Sequence, residues 1–293
     1  MLLVGTLFLF SPAVSGARAG SSAPGDRESP GLAEACATAP GAADADGDEL
    51  RDACEHALAA AFAPLLVFDA AECGWDTSVT PARVGGGYLY AAQPVGEHVR
   101  VAYLPAYYRD CGWRQPVCQV TRWLCDGHPG DSEAVVVELS RDPSPVGWRL
   151  ERVFLSAHCH GRSAGRCRWY PAEKLESVRG APVVWVASGK HGGYPSRAAC
   201  DGGHWGYDSC DRNSARVRFP VLTPRQNIGS RARPFPYAGG RDCVGPEVAG
   251  WGSALADPAA RECFWEEGAA FRGWQRKGGA TGYARYLREV AGF

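Results

Sequence analysis

Tyr88-Leu89-Tyr90-Ala91-Ala92-Gln93-Pro94-Val95-Gly96-Glu97-His98-Val99-Arg100-Val101-Ala102-Tyr103-Leu104-Pro105-Ala106-Tyr107-Tyr108 is the stretch that decides the fold class. Its two halves, residues 88–95 and 99–108, are rich in aromatic and β-branched side chains, which suit a pleated, half-buried surface. Gly96-Glu97 lies between them, so the segment is predicted to be a β-hairpin. Working outward, residues 65–68, 134–139, 148–157, 183–187 and 217–222 read as further short strands bounded by turn residues. Strands and helices do not alternate regularly, which argues against a doubly wound sheet. Helical spacing is confined to the flanks. Leu50, Cys54, Leu58, Ala61 and Phe62 share one face over residues 49–62, Pro64 ends that run, and residues 259–274 and 283–290 are amphipathic. The prediction is a mainly β chain, a disulfide-rich β-sandwich with peripheral α-helices.

Composition narrows the function classes. The 293 residues suffice for a core of ordinary size, and a net charge of -1 gives no electrostatic case for nucleic acid. Gly at 37 and Pro at 21 imply many turns and long connections. Residues 1–19 have an apolar run followed by Ala17-Arg18-Ala19, the pattern of a secretory signal peptide, although the usual positive start is missing. The chain is therefore expected to be secreted or periplasmic, with no transmembrane segment after signal cleavage. Residues 20–43 read as a flexible leader, 44–64 as an acidic loop plus helix, 65–225 as the β-sandwich and 226–293 as a C-terminal loop and helical extension. The 12 cysteines form no CxxC pair, so disulfides are expected rather than zinc or redox chemistry. Cys159/Cys167, Cys200/Cys210 and Cys243/Cys263 are candidate local loops, but spacing leaves the connectivity open.

The segment Asp126-Gly127-His128-Pro129-Gly130-Asp131-Ser132-Glu133 opens as a Gly/Pro turn and enters the apolar run 134–139. Asp131 and Glu133 are two apart, which on an extended chain puts both carboxylates on one face, with His128 on the turn before them. Carboxylate oxygens suit Ca²⁺ or Mg²⁺, and an added imidazole shifts the balance toward transition metals. His158 and His160 end one predicted strand, and His191 follows another in Gly189-Lys190-His191-Gly192-Gly193-Tyr194. If these ends cluster, His128, Asp131, Glu133, His158, His160 and His191 form one metal site. Each alone reads more readily as a solvated or satisfied surface group than as a ligand. Asp201, Asp208 and Asp211 offer further acceptors within the candidate 200–210 loop or beside it.

A second candidate calcium loop lies at Asp44-Ala45-Asp46-Gly47-Asp48, with Asp52 and Glu55 close behind. Alternating aspartates around a glycine resemble EF-hand-like and thrombospondin type 3-like loops. With Asp46-Gly47 at loop positions five and six, position one falls on Ala42 and position twelve on Ala53, so two ligands are missing. The alternative is an acidic helix N-terminus favoured by the macrodipole.

Four blocks in order carry a family resemblance: the stretch 58–66, His128-Pro129-Gly130-Asp131-Ser132-Glu133, Ser156-Ala157-His158-Cys159-His160-Gly161, and the stretch 184–195. Together they resemble the vacuolar protein sorting-associated protein 62 family, which implies a β-rich domain. Residues 127–133 also resemble the heptapeptide of necrosis- and ethylene-inducing-like proteins, secreted β-sandwich cytolysins whose acidic heptapeptide residues help bind a divalent cation at a membrane sphingolipid. Gly130 stands where that family has a second His, and Ser132 where both families have Trp. The leading expectation is a non-enzymatic exported protein that binds a divalent cation, calcium or magnesium, and presents it to a glycan or lipid head group. The alternatives are a metal-dependent secreted hydrolase using the same Asp/Glu/His cluster and a purely structural envelope protein.

Overall fold

The computed structural model describes residues 30–37, 41–69, 88–110, 112, 128–143, 147–157, 167–178, 180–203, 208–210, 215–218, 227–229, 287 and 292. They form a mostly β structure with two sheets. The hairpin is its spine. Strands β2 (Tyr88–Val95) and β3 (His98–Asp110) pair antiparallel from Tyr88↔Pro105 to Val95↔His98, joined by Gly96-Glu97. Gly96 takes φ 62°, a value only glycine reaches without strain. Pro94, which has no N–H to give a neighbour, is tolerated because β2 is an edge strand.

On the other side of β3 lie β4 (His128–Ser132) and β5 (Val135–Arg141). Both pair with β3 in one register, since Ala106↔Ser132 leads on to Tyr103↔Val135. The gap at Glu133-Ala134 faces Leu104-Pro105, where proline cannot donate to a ladder. Here the structure differs from the expected Gly/Pro turn: His128–Ser132 is itself a strand, because β3 supplies a partner that outweighs local turn chemistry. The sheet continues through β6 (Trp148–Leu155) to β7 (Arg168–Pro171).

The second sheet is built on β1 (Leu65–Phe68), parallel to β9 (Ala181–Val186) and antiparallel to β11 (Ala215–Arg218). The short β8 (Ser177–Val178) and β10 (Gly193–Tyr194) flank β9. One core cluster draws on both sheets: Leu66, Phe68, Val184 and Val186 from this one, and Tyr90, Val101, Tyr103, Val137 and Val153 from the hairpin sheet.

Helix α1 (Pro30–Cys36) lies within the stretch expected as a leader, and its Leu32 is buried. Helix α2 (Asp52–Ala61) buries Cys54, Glu55, Leu58 and Ala59. The predicted helix began at 49, but residues 44–51 are loop. Two hydrogen bonds seat α2 on the hairpin: Tyr103 Oη donates to the Ala59 carbonyl at 2.9 Å, and His56 Nδ1 meets Tyr90 Oη at 3.1 Å. The Cys36–Cys54 disulfide ties α1 to α2 across 18 residues, a closure that stabilises by about 3 kcal/mol. Cys200–Cys210 forms as expected beside α3 (Arg197–Asp201). Cys167 is disulfide-bonded too, while Cys243 and Cys263 lie outside the described residues. So do residues 219–222 and 259–274 of the predicted strand and helix; of 283–290 only Leu287 is described, helical and buried.

Candidate metal centre

Two groupings of acidic side chains have the geometry to hold an ion among the described residues, and both fall in residues 44–55. Asp44, Asp46 and Asp48 bring one carboxylate oxygen each within 4.8 Å of one another, and Asp46, Asp52 and Glu55 do the same. Calcium holds its oxygens at about 2.3–2.6 Å, so ligands on opposite sides of one ion lie about 5 Å apart. The two groups share Asp46.

The loop is shaped by its own carboxylates. Asp44 accepts the backbone N–H groups of Asp48 through Oδ1 at 3.2 Å and of Glu49 through Oδ2 at 3.1 Å. Asp48 Oδ1 accepts from Leu50 N at 2.8 Å, and Asp52 Oδ1 accepts from Ala45 N at 2.9 Å, closing the neck of the loop. Leu50 anchors the far side in the core. Gly47 at φ 63° and Glu49 at φ 75° are both left-handed. For Glu49 that conformation is costly, by about 1–2 kcal/mol.

Glu55 is the decisive residue. It lies on the buried face of α2 with 0% of its surface exposed. Its Oε2 accepts from Asn227 Nδ2 at 2.6 Å, whereas Oε1 has no hydrogen-bond partner. Asp48 Oδ2 is likewise buried and without one. Burial, reinforced by the charges of Asp46 and Asp48 and opposed by the Asn227 bond, pushes the Glu55 carboxyl up to about 9. Burial, opposed by the Leu50 N–H and reinforced by Asp46, Asp44 and Asp52, pushes Asp48 up to about 7. A buried carboxylate oxygen left unpaired is expensive, and a proton, a water or a cation relieves it.

The strand-end candidates fare differently. Asp131 and His128 lie on β4 with their backbones opposite Tyr107 and Asp110. His158 and His160 lie outside the described residues. Glu133 is half-buried and accepts a hydrogen bond from Ser156 Oγ. Ser156 just beyond β6 is fully buried, and its Oγ accepts from Ala134 N at 2.6 Å, standing in for its own carbonyl in the ladder. That carbonyl accepts instead from Gly193 N of β10 at 2.7 Å. Three strand ends therefore meet at Ser156, and the two sheets are joined there. His191, buried at φ 58°, belongs to the same turn, where its N–H donates to the Ala187 carbonyl at 2.8 Å. In the Cys200–Cys210 loop, Asp201 accepts from Cys210 N within the loop, and Asp208 accepts from Tyr194 Oη, tying the loop to β10. Asp211 lies outside the described residues.

Of the predicted ligands, the structure gathers Asp44, Asp46, Asp48 and Asp52. The sequence reading left Glu55 and its partner Asn227 out of the site. Counting twelve from Asp44 rather than anchoring on Gly47 would have found Glu55; nothing in the sequence marks Asn227, 172 residues away. Comparison with family models, curated proteins and solved structures gave no match, so the chain is assigned to no family and the site rests on its own geometry.

Proposed function

We propose that this chain is an exported, disulfide-stapled β-sandwich protein that binds a divalent cation in its acidic loop and offers a ligand surface to a glycan or lipid head group. The observation that carries the cation site is the Glu55 carboxylate, fully buried beside Asp46 and Asp52 with an oxygen that nothing else satisfies. Export is supported by the disulfides, which persist in oxidising compartments. Among the described residues no helix is long and apolar enough to cross a membrane. A sandwich is supported by a core cluster that draws on both sheets. The strand ends that meet at Ser156 are the favoured ligand surface; the half-buried Glu133 carboxylate reaches that junction, while Ser156 and His191 are themselves buried.

Elemental analysis after equilibrium dialysis tests the cation. Purified protein should retain a stoichiometric divalent ion, Asp46→Asn/Glu55→Gln should lose it, and Asp131→Ala/Glu133→Ala should keep it. Loss in the second variant and retention in the first would move the site to the strand ends.

A further inference from the structure

The position of Glu55 bears on which cation the acidic loop would take. Counted from Asp44, the acidic side chains fall at loop positions one (Asp44), three (Asp46), five (Asp48), nine (Asp52) and twelve (Glu55). This is the ligand spacing of a twelve-residue calcium loop, in which a backbone carbonyl fills position seven and a glutamate closes the site at position twelve. We propose that residues 44–55 are such a loop and that its ion is calcium, held by Asp44, Asp46, Asp48, Asp52 and Glu55 with the Leu50 carbonyl at position seven. The inference rests on the cation-binding reading above and deepens it by naming the ion and the register.

Three observations carry it independently of the spacing. The Glu55 side chain is 0% exposed, faces Asp46 and Asp52, and keeps Oε1 unsatisfied, so the position-twelve ligand is already aimed into the loop. Asp48 Oδ2 at position five is buried and unsatisfied in the same way. The ligand set is oxygen alone, with no His or Cys in either group, which selects a hard cation over zinc. Six protein oxygens leave no place for the waters that magnesium usually keeps, whereas calcium takes six to eight oxygens from a flexible loop.

The loop departs from the common pattern at position six. That position requires a sharp turn and normally holds glycine; Glu49 occupies it here and adopts the left-handed φ of 75°. The entering helix also differs, because α1 ends at Cys36 rather than running into the loop. The Cys36–Cys54 disulfide ties it to α2 instead.

Calorimetric titration of the purified, chelator-treated protein with calcium, magnesium and zinc in turn is the test. One calcium per chain, bound at least tenfold tighter than magnesium or zinc, is expected. Glu55→Asp, which shortens the position-twelve ligand, should weaken calcium at least tenfold while leaving the circular dichroism spectrum unchanged. If Glu55→Asp does not fold, the isosteric Asp52→Asn reads the same register, because a loop counted from Ala42 would use neither residue. Tighter magnesium or zinc, or calcium affinity unmoved in the folded variant, would overturn the calcium loop and leave cation binding standing. No binding of any ion would end both.

Discussion

Single residues hold the loop and the sheet junction in place. Glu49 adopts a conformation that disfavours a side chain, yet its N–H closes the Asp44 turn. Glu49→Gly keeps that bond and removes the strain, so it should raise stability by about 1 kcal/mol in urea unfolding. Ser156 does the opposite kind of work, replacing its own carbonyl in the ladder so that the carbonyl can reach Gly193. Ser156→Ala strands the buried Ala134 N–H and should cost about 1–3 kcal/mol, read as a lowered urea midpoint. Neither role is visible in the sequence, because each depends on a partner from a distant segment. The acidic alternation was visible, and a count from Asp44 would have given the proposed register. Anchoring on Gly47 hid it, since in the proposed loop the glycine position falls on Glu49.

At the scale of elements, strand identity was largely legible and strand partnership was not. Alternation and the Gly96 turn gave the hairpin, and apolar runs gave β1, β5, β6 and β9. His128-Pro129-Gly130 carries every local sign of a turn, and the unsatisfied edge of β3 made it a strand. The far face of the hairpin sheet carries a row that no periodicity announces. Glu138 on β5 sits opposite Arg100 on β3 and Arg152 on β6, with contacts of 2.8 Å and 2.5 Å. Both guanidinium groups stack over Trp169, and Arg100 also donates to the Gly292 carbonyl, drawing the chain end to this face. Cross-strand charge pairing of this kind locks register. Glu138→Gln should cost about 2–3 kcal/mol and weaken the contact between strand and chain end, measurable as faster hydrogen exchange across β5 and β6.

For the molecule as a whole, two carboxylates set opposite demands. Burial pulls the Glu138 pKa upward, but the bonds from Arg152 and Arg100 outweigh it and hold the carboxyl below its ordinary 4.5. A lowered folded pKa means its contribution is complete above about pH 4.5 and is lost as pH falls through the folded value. A chelated sample should therefore lose thermal stability below that pH, and Glu138→Gln should flatten this acid limb. Glu55 imposes the other demand, a buried carboxyl that burial keeps protonated until a cation takes the place of the proton. Calcium at a hundredfold excess over its Kd should stabilise the fold by about 2.7 kcal/mol. For a chain of this size that is a Tm rise of about 4 °C, absent in Glu55→Gln. Glu55 is bonded to Asn227, and the next residue, Ile228, donates to the Tyr90 carbonyl, so the proposed ion would lie where helix α2, the hairpin and residues 227–229 meet.

The most direct test of that claim is a crystal structure grown with calcium, with the ion located by its anomalous scattering. One peak is predicted inside residues 44–55, about 2.3–2.6 Å from oxygens of Asp44, Asp46, Asp48, Asp52 and Glu55 and from the Leu50 carbonyl. A peak beside Asp131 and Glu133 instead, or an ordered loop with no peak at all, would contradict it.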